Sequence, residues 1–265
     1  MKLKIAIGAL AITAVSVIAC TTNPITGRSS LQLANNSEIL TMSSQEYRKT
    51  LSGAKVIKGT ADANRVTNVG TKIKNAAERY YNSIGRSADL ANYNWEFSLI
   101  DDKQINAWCM PGGKVAVYTG ILPITKDDTG MAVVLGHEIS HALAGHGNER
   151  ISQAMVAQYG GAILGSTISN SQLAGVFEQL YPIGSQVGLM AYGRKQETEA
   201  DKMGLILMAM AGYNPQQAVP FWQRMQAASS GNRMPEFLST HPNPESRIKD
   251  LEASMGEAMK YYKGK

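Results

Sequence analysis

The chain has 265 residues, 44% of them hydrophobic and 18% charged, with 25 Gly and 9 Pro. This is globular composition, and it excludes a collagen-like chain, low-complexity disorder and a polytopic membrane protein. The formal charge of +5 is modest and contains no basic run longer than two residues, so nucleic acid is not an expected partner.

The N-terminus reads as a targeting segment. Lys2 and Lys4 precede an apolar stretch from Ile5 to Ala19, too short to span a bilayer but suited to a secretory signal. It ends in Val17-Ile18-Ala19-Cys20, which resembles the bacterial lipobox, where cleavage precedes a lipid-bearing cysteine. The expected division is a signal peptide over 1–19, a polar tether over 20–36 and one domain over 37–265. The mature chain would begin at a lipid-anchored Cys20 with a charge of +3, Lys2 and Lys4 being lost from +5. Its expected location is the bacterial cell envelope, on the periplasmic face of the outer membrane. Cys109 is then unpaired, so no disulfide framework supports the fold.

Beyond the tether, a helix is expected over 37–51 and a clearer one over 61–81. The second places Val66, Val69, Ile73, Ala76, Ala77 and Tyr80 on one face. The period then shortens: Trp95, Phe97 and Leu99 alternate with polar residues. Asn106 to Met110 is followed by Pro-Gly-Gly and then by Lys114 to Thr119, as in a small antiparallel sheet with a glycine hairpin turn. After Pro123 the pattern is helical. Asp127, Asp128 or Thr129 can cap a helix from near Gly130, and further helices are expected over 148–168 and 183–212. Asn214-Pro215 opens another, and Pro244 opens the last, which runs to about Lys260. The fold class is α+β, mostly α.

The decisive string is His137-Glu138-Ile139-Ser140-His141. On a helix, the i,i+4 spacing puts both imidazoles on one face, able to reach a single Zn²⁺ at about 2.0–2.1 Å. Glu138 sits beside the metal, placed to take a proton from water. Apolar flanks, Met131 to Leu135 and Ala142-Leu143, make this a buried helix, where three such polar groups are costly unless they bind something. A third ligand is needed. Position 147 is Gly, and His146 would point away from His137 on a continuous helix, which suits a hydrogen-bonded structural histidine. The better candidate is Glu197, with Asp201 on the same face placed to orient an imidazole; Glu199 lies away from that face. His241, in Thr240-His-Pro-Asn-Pro-Glu-Ser-Arg247, stands in a loop before the last helix. With Arg247 it could hold an oxyanion.

Taken together, HEISH, ETEAD and THPNPESR resemble the HtpX, BepA and CAAX-prenyl-protease type of zinc metallopeptidases. Asn106 to Gly120 is similar to that family's strand and turn before the active-site helix. Asn23-Pro-Ile-Thr-Gly-Arg28 resembles the soluble lipoprotein branch, close to the mitochondrial OMA-type peptidases. The resemblance implies a mostly helical gluzincin domain, with a small antiparallel sheet beside the HExxH helix, that cleaves peptide bonds with one Zn²⁺ per chain. It places His137, His141 and Glu197 on the zinc ligands, Glu138 on the general base, Asp201 behind a ligand, and His241 and Arg247 near the reacting carbonyl. It also implies that His241 can take the fourth zinc position and hold the enzyme idle. Expected substrates are unfolded or misassembled envelope proteins, in quality control, with membrane contact through the N-terminal lipid. The oligomeric state stays open.

Overall fold

A computed structural model describes residues 20–160, 163, 167–181, 192–228, 235–242 and 247–264. The signal segment 1–19, the first part of the helix expected over 183–212 and the Pro244 helix start lie outside the described residues. Cys20 is exposed at the head of strand β1 (Cys20–Thr22), which pairs with β2 (Ser29–Leu31) in an antiparallel hairpin.

Helix α1 (Asn36–Ser52) and helix α2 (Ala61–Ser83) fall close to their expected bounds. The Thr60 side chain caps α2 by accepting from the Ala63 N–H at 3.2 Å. The apolar spacing buries Val66, Val69, Ile73, Ala76 and Ala77, and Tyr81 rather than Tyr80 completes the face.

Strands β3 (Val56–Ile57), β4 (Glu96–Ile100), β5 (Ala107–Met110) and β6 (Lys114–Tyr118) form one sheet in the order β3-β4-β6-β5. Two pairings are antiparallel, as expected, but β4 and β6 run parallel. The Pro111-Gly112-Gly113 turn, with both glycines at positive φ (84° and 79°), folds β6 back between β4 and β5. β6 is buried along its whole length, with Val115 and Val117 facing a core shared with α2, and Ala116 and Tyr118 facing a second core with Ile39, Tyr47 and Met155. β5, buried along its length as well, is the edge strand of the sheet.

Helix α3 (Leu122–Thr125) leads to α4 (Asp128–Leu143), capped by the Asp127 carboxylate accepting from the Gly130 N–H at 2.8 Å. α5 (His146–Tyr159) and α6 (Asn170–Leu180) cover the β5 side of the sheet. α7 (Arg194–Met210), α8 (Ala218–Ala228), the short α9 (Glu236–Thr240) and α10 (Arg247–Met259) complete the fold. No described helix is long and apolar enough to cross a membrane.

The segment expected to be a tether is built into the domain. Between β1 and β2 the chain turns tightly: the Asn23 carbonyl accepts from Gly27, itself at φ 74°. The buried Asn23 amide reaches Met203 on α7 at 3.0 Å. Further on, Ser152 and Asn148 of α5 take the Leu33 and Ala34 backbone N–H groups at 2.8 and 3.3 Å. A polar sequence reads as tether because its side chains are hydrophilic, but here Ser152 and Asn148 of α5 satisfy its backbone N–H groups and its Asn23 side chain reaches α7.

Candidate active site

Two helices build the centre: α4 carries His137, Glu138 and His141, and α7 carries Glu197 and Asp201. They cross where neither has a side chain. A Cβ on Gly204 would stand 3.0 Å from the Gly136 carbonyl carbon and the His137 nitrogen, and one on Gly136 would stand 3.0 Å from the Gly204 oxygen. Backbones can approach this closely only through glycine, and the approach brings the polar side chains of the neighbouring turns into reach of each other.

The four buried donors His137, His141, Glu197 and His241 converge, with ligand atoms all within 4.8 Å of one another. His137 Nε2 lies 3.0 Å from His141 Nε2 and 3.2 Å from His241 Nδ1. Glu197 Oε1 lies 3.0 Å from His241 Nδ1 and 3.3 Å from His141 Nε2. On the far side of the His137 ring, Nδ1 meets Asp201 Oδ1 at 2.9 Å, which places its proton there and leaves Nε2 a bare lone pair. Glu197 Oε2 makes no hydrogen bond but is ion-paired to the Arg247 guanidinium at 3.1 Å. Lone pairs aimed at one another repel unless a cation stands between them. Four ligands at about 2.0–2.1 Å from zinc in a tetrahedron are separated by roughly 3.3–3.4 Å, and the four spacings lie at or a few tenths of an ångström below that value. The residues fit the ion.

Electrostatics follow from burial. It pushes the His137 ring down and the His141 ring well down, which favours the neutral imidazole that a metal needs. Burial would raise Glu197, but His241 and His141 outweigh it and hold the carboxylate well below its usual range. Glu138 is 2% exposed, and burial pushes its carboxyl up to about 7, with His241 pulling the other way. Its Oε1 lacks a hydrogen-bond partner and lies 3.5 Å from His241 Nε2, while the Cys109 backbone N–H donates to the carboxylate. A carboxyl poised near neutrality suits a general base. Cys109 itself is a buried β5 residue whose thiol burial pushes well up.

Arg247 requires correction. Expected beside the reacting carbonyl, its guanidinium instead lies behind the donors. Nη2 donates to Asp201 at 2.7 Å, Nη1 stands 3.1 Å from Glu197 Oε2, and the group stacks 3.5 Å over the Trp222 ring. At 1% exposed, it lies between the Glu197 and Asp201 carboxylates. His241 supplies a fourth donor to the cluster.

The sequence points to no role here for Glu199, Arg28 or the Gly136–Gly204 pair, and it reads His146 as a hydrogen-bonded structural histidine that a continuous helix would turn away from His137. The helix stops: Gly145 adopts φ 68°, and α5 begins at His146, whose ring returns to within 2.8 Å of His141 Nδ1. Gly145 was the available signal, since a glycine after the last helical turn is a stop.

A helix-borne HExxH completed by a carboxylate from a second helix is the ligand set of a gluzincin-type metallopeptidase. The chain belongs to peptidase family M48, whose profile matches residues 69–255. M48 peptidases depend on zinc, and among the described residues His137, His141, Glu197 and His241 form a group able to hold the ion. Among curated relatives, the chain is 37% identical to the mitochondrial metalloendopeptidase OMA1 of Schizosaccharomyces pombe over 171 residues, 64% of this chain and 49% of that one. It is 30% identical to the human mitochondrial metalloendopeptidase OMA1 over 246 residues, 90% of this chain and 46% of that one. The beta-barrel assembly-enhancing protease of Yersinia pestis is 32% identical over 189 residues, 65% of this chain and 37% of that one. The chain thus spans about half the length of the curated relatives it matches, or less. Their names also overturn the location expected from the N-terminus. The fungal, human and plant relatives are mitochondrial by name, and the lipid-anchored bacterial-envelope location is withdrawn on that finding.

Proposed function

We propose that the chain is a zinc endopeptidase of unfolded or misassembled proteins, acting in protein quality control, whose resting site is closed by His241. The observation that carries this is the placement of Glu138, a buried carboxyl near neutrality with an unpartnered oxygen beside a four-donor metal cluster. When bound, zinc would act as a Lewis acid on the scissile carbonyl and make water a stronger acid. Glu138 would take the water's proton and pass it to the leaving amine. An extended substrate segment would add along β5, the sheet's edge strand, through main-chain hydrogen bonds.

Two features support a closed resting state. His241 fills the fourth donor place, which a catalytic zinc site otherwise keeps open. The space between β5, Glu138, Tyr192 and His241 is only about 30 Å³, too small for a peptide. His241 would therefore swing out on substrate entry, where its Nε2 becomes available to the oxyanion.

A closed four-ligand set also favours a second reading, a zinc that only ties helices together. Measuring zinc content and casein cleavage for the wild type, Glu138→Gln and His241→Ala separates the two. The endopeptidase reading expects zinc in all three, no cleavage by Glu138→Gln and raised cleavage by His241→Ala. Zinc in all three without cleavage by any supports the structural reading, and cleavage retained by Glu138→Gln removes Glu138 as the base.

A further inference from the structure

The two histidines of the HExxH motif are held from behind in different ways. His137 Nδ1 meets a carboxylate directly, at Asp201. His141 Nδ1 meets the Nδ1 of another histidine, His146, at 2.8 Å. His146 Nε2 in turn lies 2.9 Å from Glu199 Oε2, and Glu199 also receives the Thr26 hydroxyl and the Arg28 Nε–H. Arg28 continues to Glu149 through two further bonds of 2.8 Å. His146 is fully buried and Glu199 is 4% exposed.

The chemistry of these atoms allows one proton arrangement. His141 Nε2 faces the donor cluster, so it must be bare and the ring proton sits on Nδ1. His141 therefore donates to His146 Nδ1, which accepts. The proton of His146 then lies on Nε2 and is donated to Glu199. Glu199 closes the series as an anion held by a cation and a hydroxyl from the N-terminal turn. Each donor along the path finds one acceptor, and a buried histidine between a ligand and a carboxylate has no other partner to satisfy.

We propose that His146, Glu199 and the Thr26–Arg28 turn form a relay that positions His141 and raises its basicity toward the metal. The turn lies more than forty residues before the family match begins at residue 69, so on this inference the metal site extends beyond the family domain. It rests on His141 being a zinc ligand, and the test separates the two claims.

The experiment uses the full chain, zinc-loaded for affinity and Co²⁺-substituted for spectroscopy. Zinc affinity comes from chelator competition. Proton NMR of the Co²⁺ form reads the exchangeable ring N–H signals of the three histidines in the cluster, with Asp201→Asn assigning that of His137 and His241→Ala removing that of His241. Glu199→Gln, which keeps shape and removes charge, is expected to weaken zinc by about tenfold and to move the His141 signal while that of His137 stays in place. Thr26→Val removes one donor from Glu199 and is expected to move the same signal in the same direction by less, so the inference is still tested if Glu199→Gln does not fold. A purely structural relay would lower the unfolding temperature of metal-free protein yet leave the zinc affinity and the His141 signal unchanged. That result in either variant overturns the proposal. Absence of Co²⁺ and Zn²⁺ binding in the wild type would instead remove the ligand reading on which it stands.

Discussion

His137 and His141 stand one turn apart on the same helix, yet their outer nitrogens lead into opposite halves of the molecule. Behind His137 is Asp201, with Arg247 bridging it to Glu197 and Trp222 stacked on the guanidinium. Behind His141 is His146, then Glu199, with Arg28 bridging it to Glu149. Each side thus has one arginine between two carboxylates. They differ in length and in exposure: Arg247 is 1% exposed and the Arg28 side chain 23%. The C-terminal half gives a short, dry clamp, and the N-terminal half a longer one that reaches the surface. Water screens the second more than the first, so it is the side on which the site can be tuned.

The largest effect should come from the place both sides share. Gly204→Val puts a branched side chain into a 3.0 Å backbone approach, forcing α4 and α7 apart and spoiling both clamps together. Overpacking of this kind costs about 1–3 kcal/mol, and zinc binding, measured by metal content after gel filtration, should be lost. A variant that keeps one zinc per chain would mean the crossing does not set the ligand geometry. Next, Asp201→Asn removes the charge that meets His137 directly, with an expected loss of about 10–100-fold in zinc affinity. Because the His141 relay is longer and more solvated, Glu199→Gln should cost less. An equal or greater loss in Glu199→Gln would reverse the ranking of the two sides.

Much of the candidate site is legible in the chain because its clustered donors obey local rules. The i,i+4 histidines, Glu138 between them, and Glu197 and Asp201 one turn apart on a second buried helix all follow from helical spacing. What could not be read depends on where helices stop and cross. Glu199 lies two residues from Glu197 and so faces elsewhere on α7; only a partner arriving on that side gives it a role, and His146 arrives because Gly145 breaks the helix. Arg247 was placed by its motif near the reacting carbonyl, but a guanidinium goes to the carboxylates its helix start happens to face. The parallel pairing of β4 with β6 was hidden for a similar reason. Alternation marks a strand without saying which neighbour it will take. Composition misjudged residues 20–36, since the same hydrophilic residues serve a free tether or a buried turn.

The smallest effect on the metal, and the finest test of the comparison, is the dependence of stability on pH at Arg28. Burial would raise Glu149, but hydrogen bonds from Arg28 and Gln196 outweigh it and hold the carboxyl below its ordinary value of 4.5. Glu199 is lowered as well, burial there being outweighed first by His146 and then by Thr26 and Arg28. A carboxyl whose folded pKa lies below its unfolded one adds stability above the unfolded value and loses it as pH falls through the folded one. Arg28→Gln should therefore destabilise the protein at pH 7, by about 2 kcal/mol for a pair with one partner partly in water. The gap from the wild type should then narrow below about pH 4.5, as both carboxyls take up protons. Urea unfolding of the two proteins at pH 7 and at pH 3.5 measures it. A gap that stays constant with pH would mean that Arg28 holds the N-terminal turn by packing alone. The His141 side would then be no more open to tuning by charge than the His137 side.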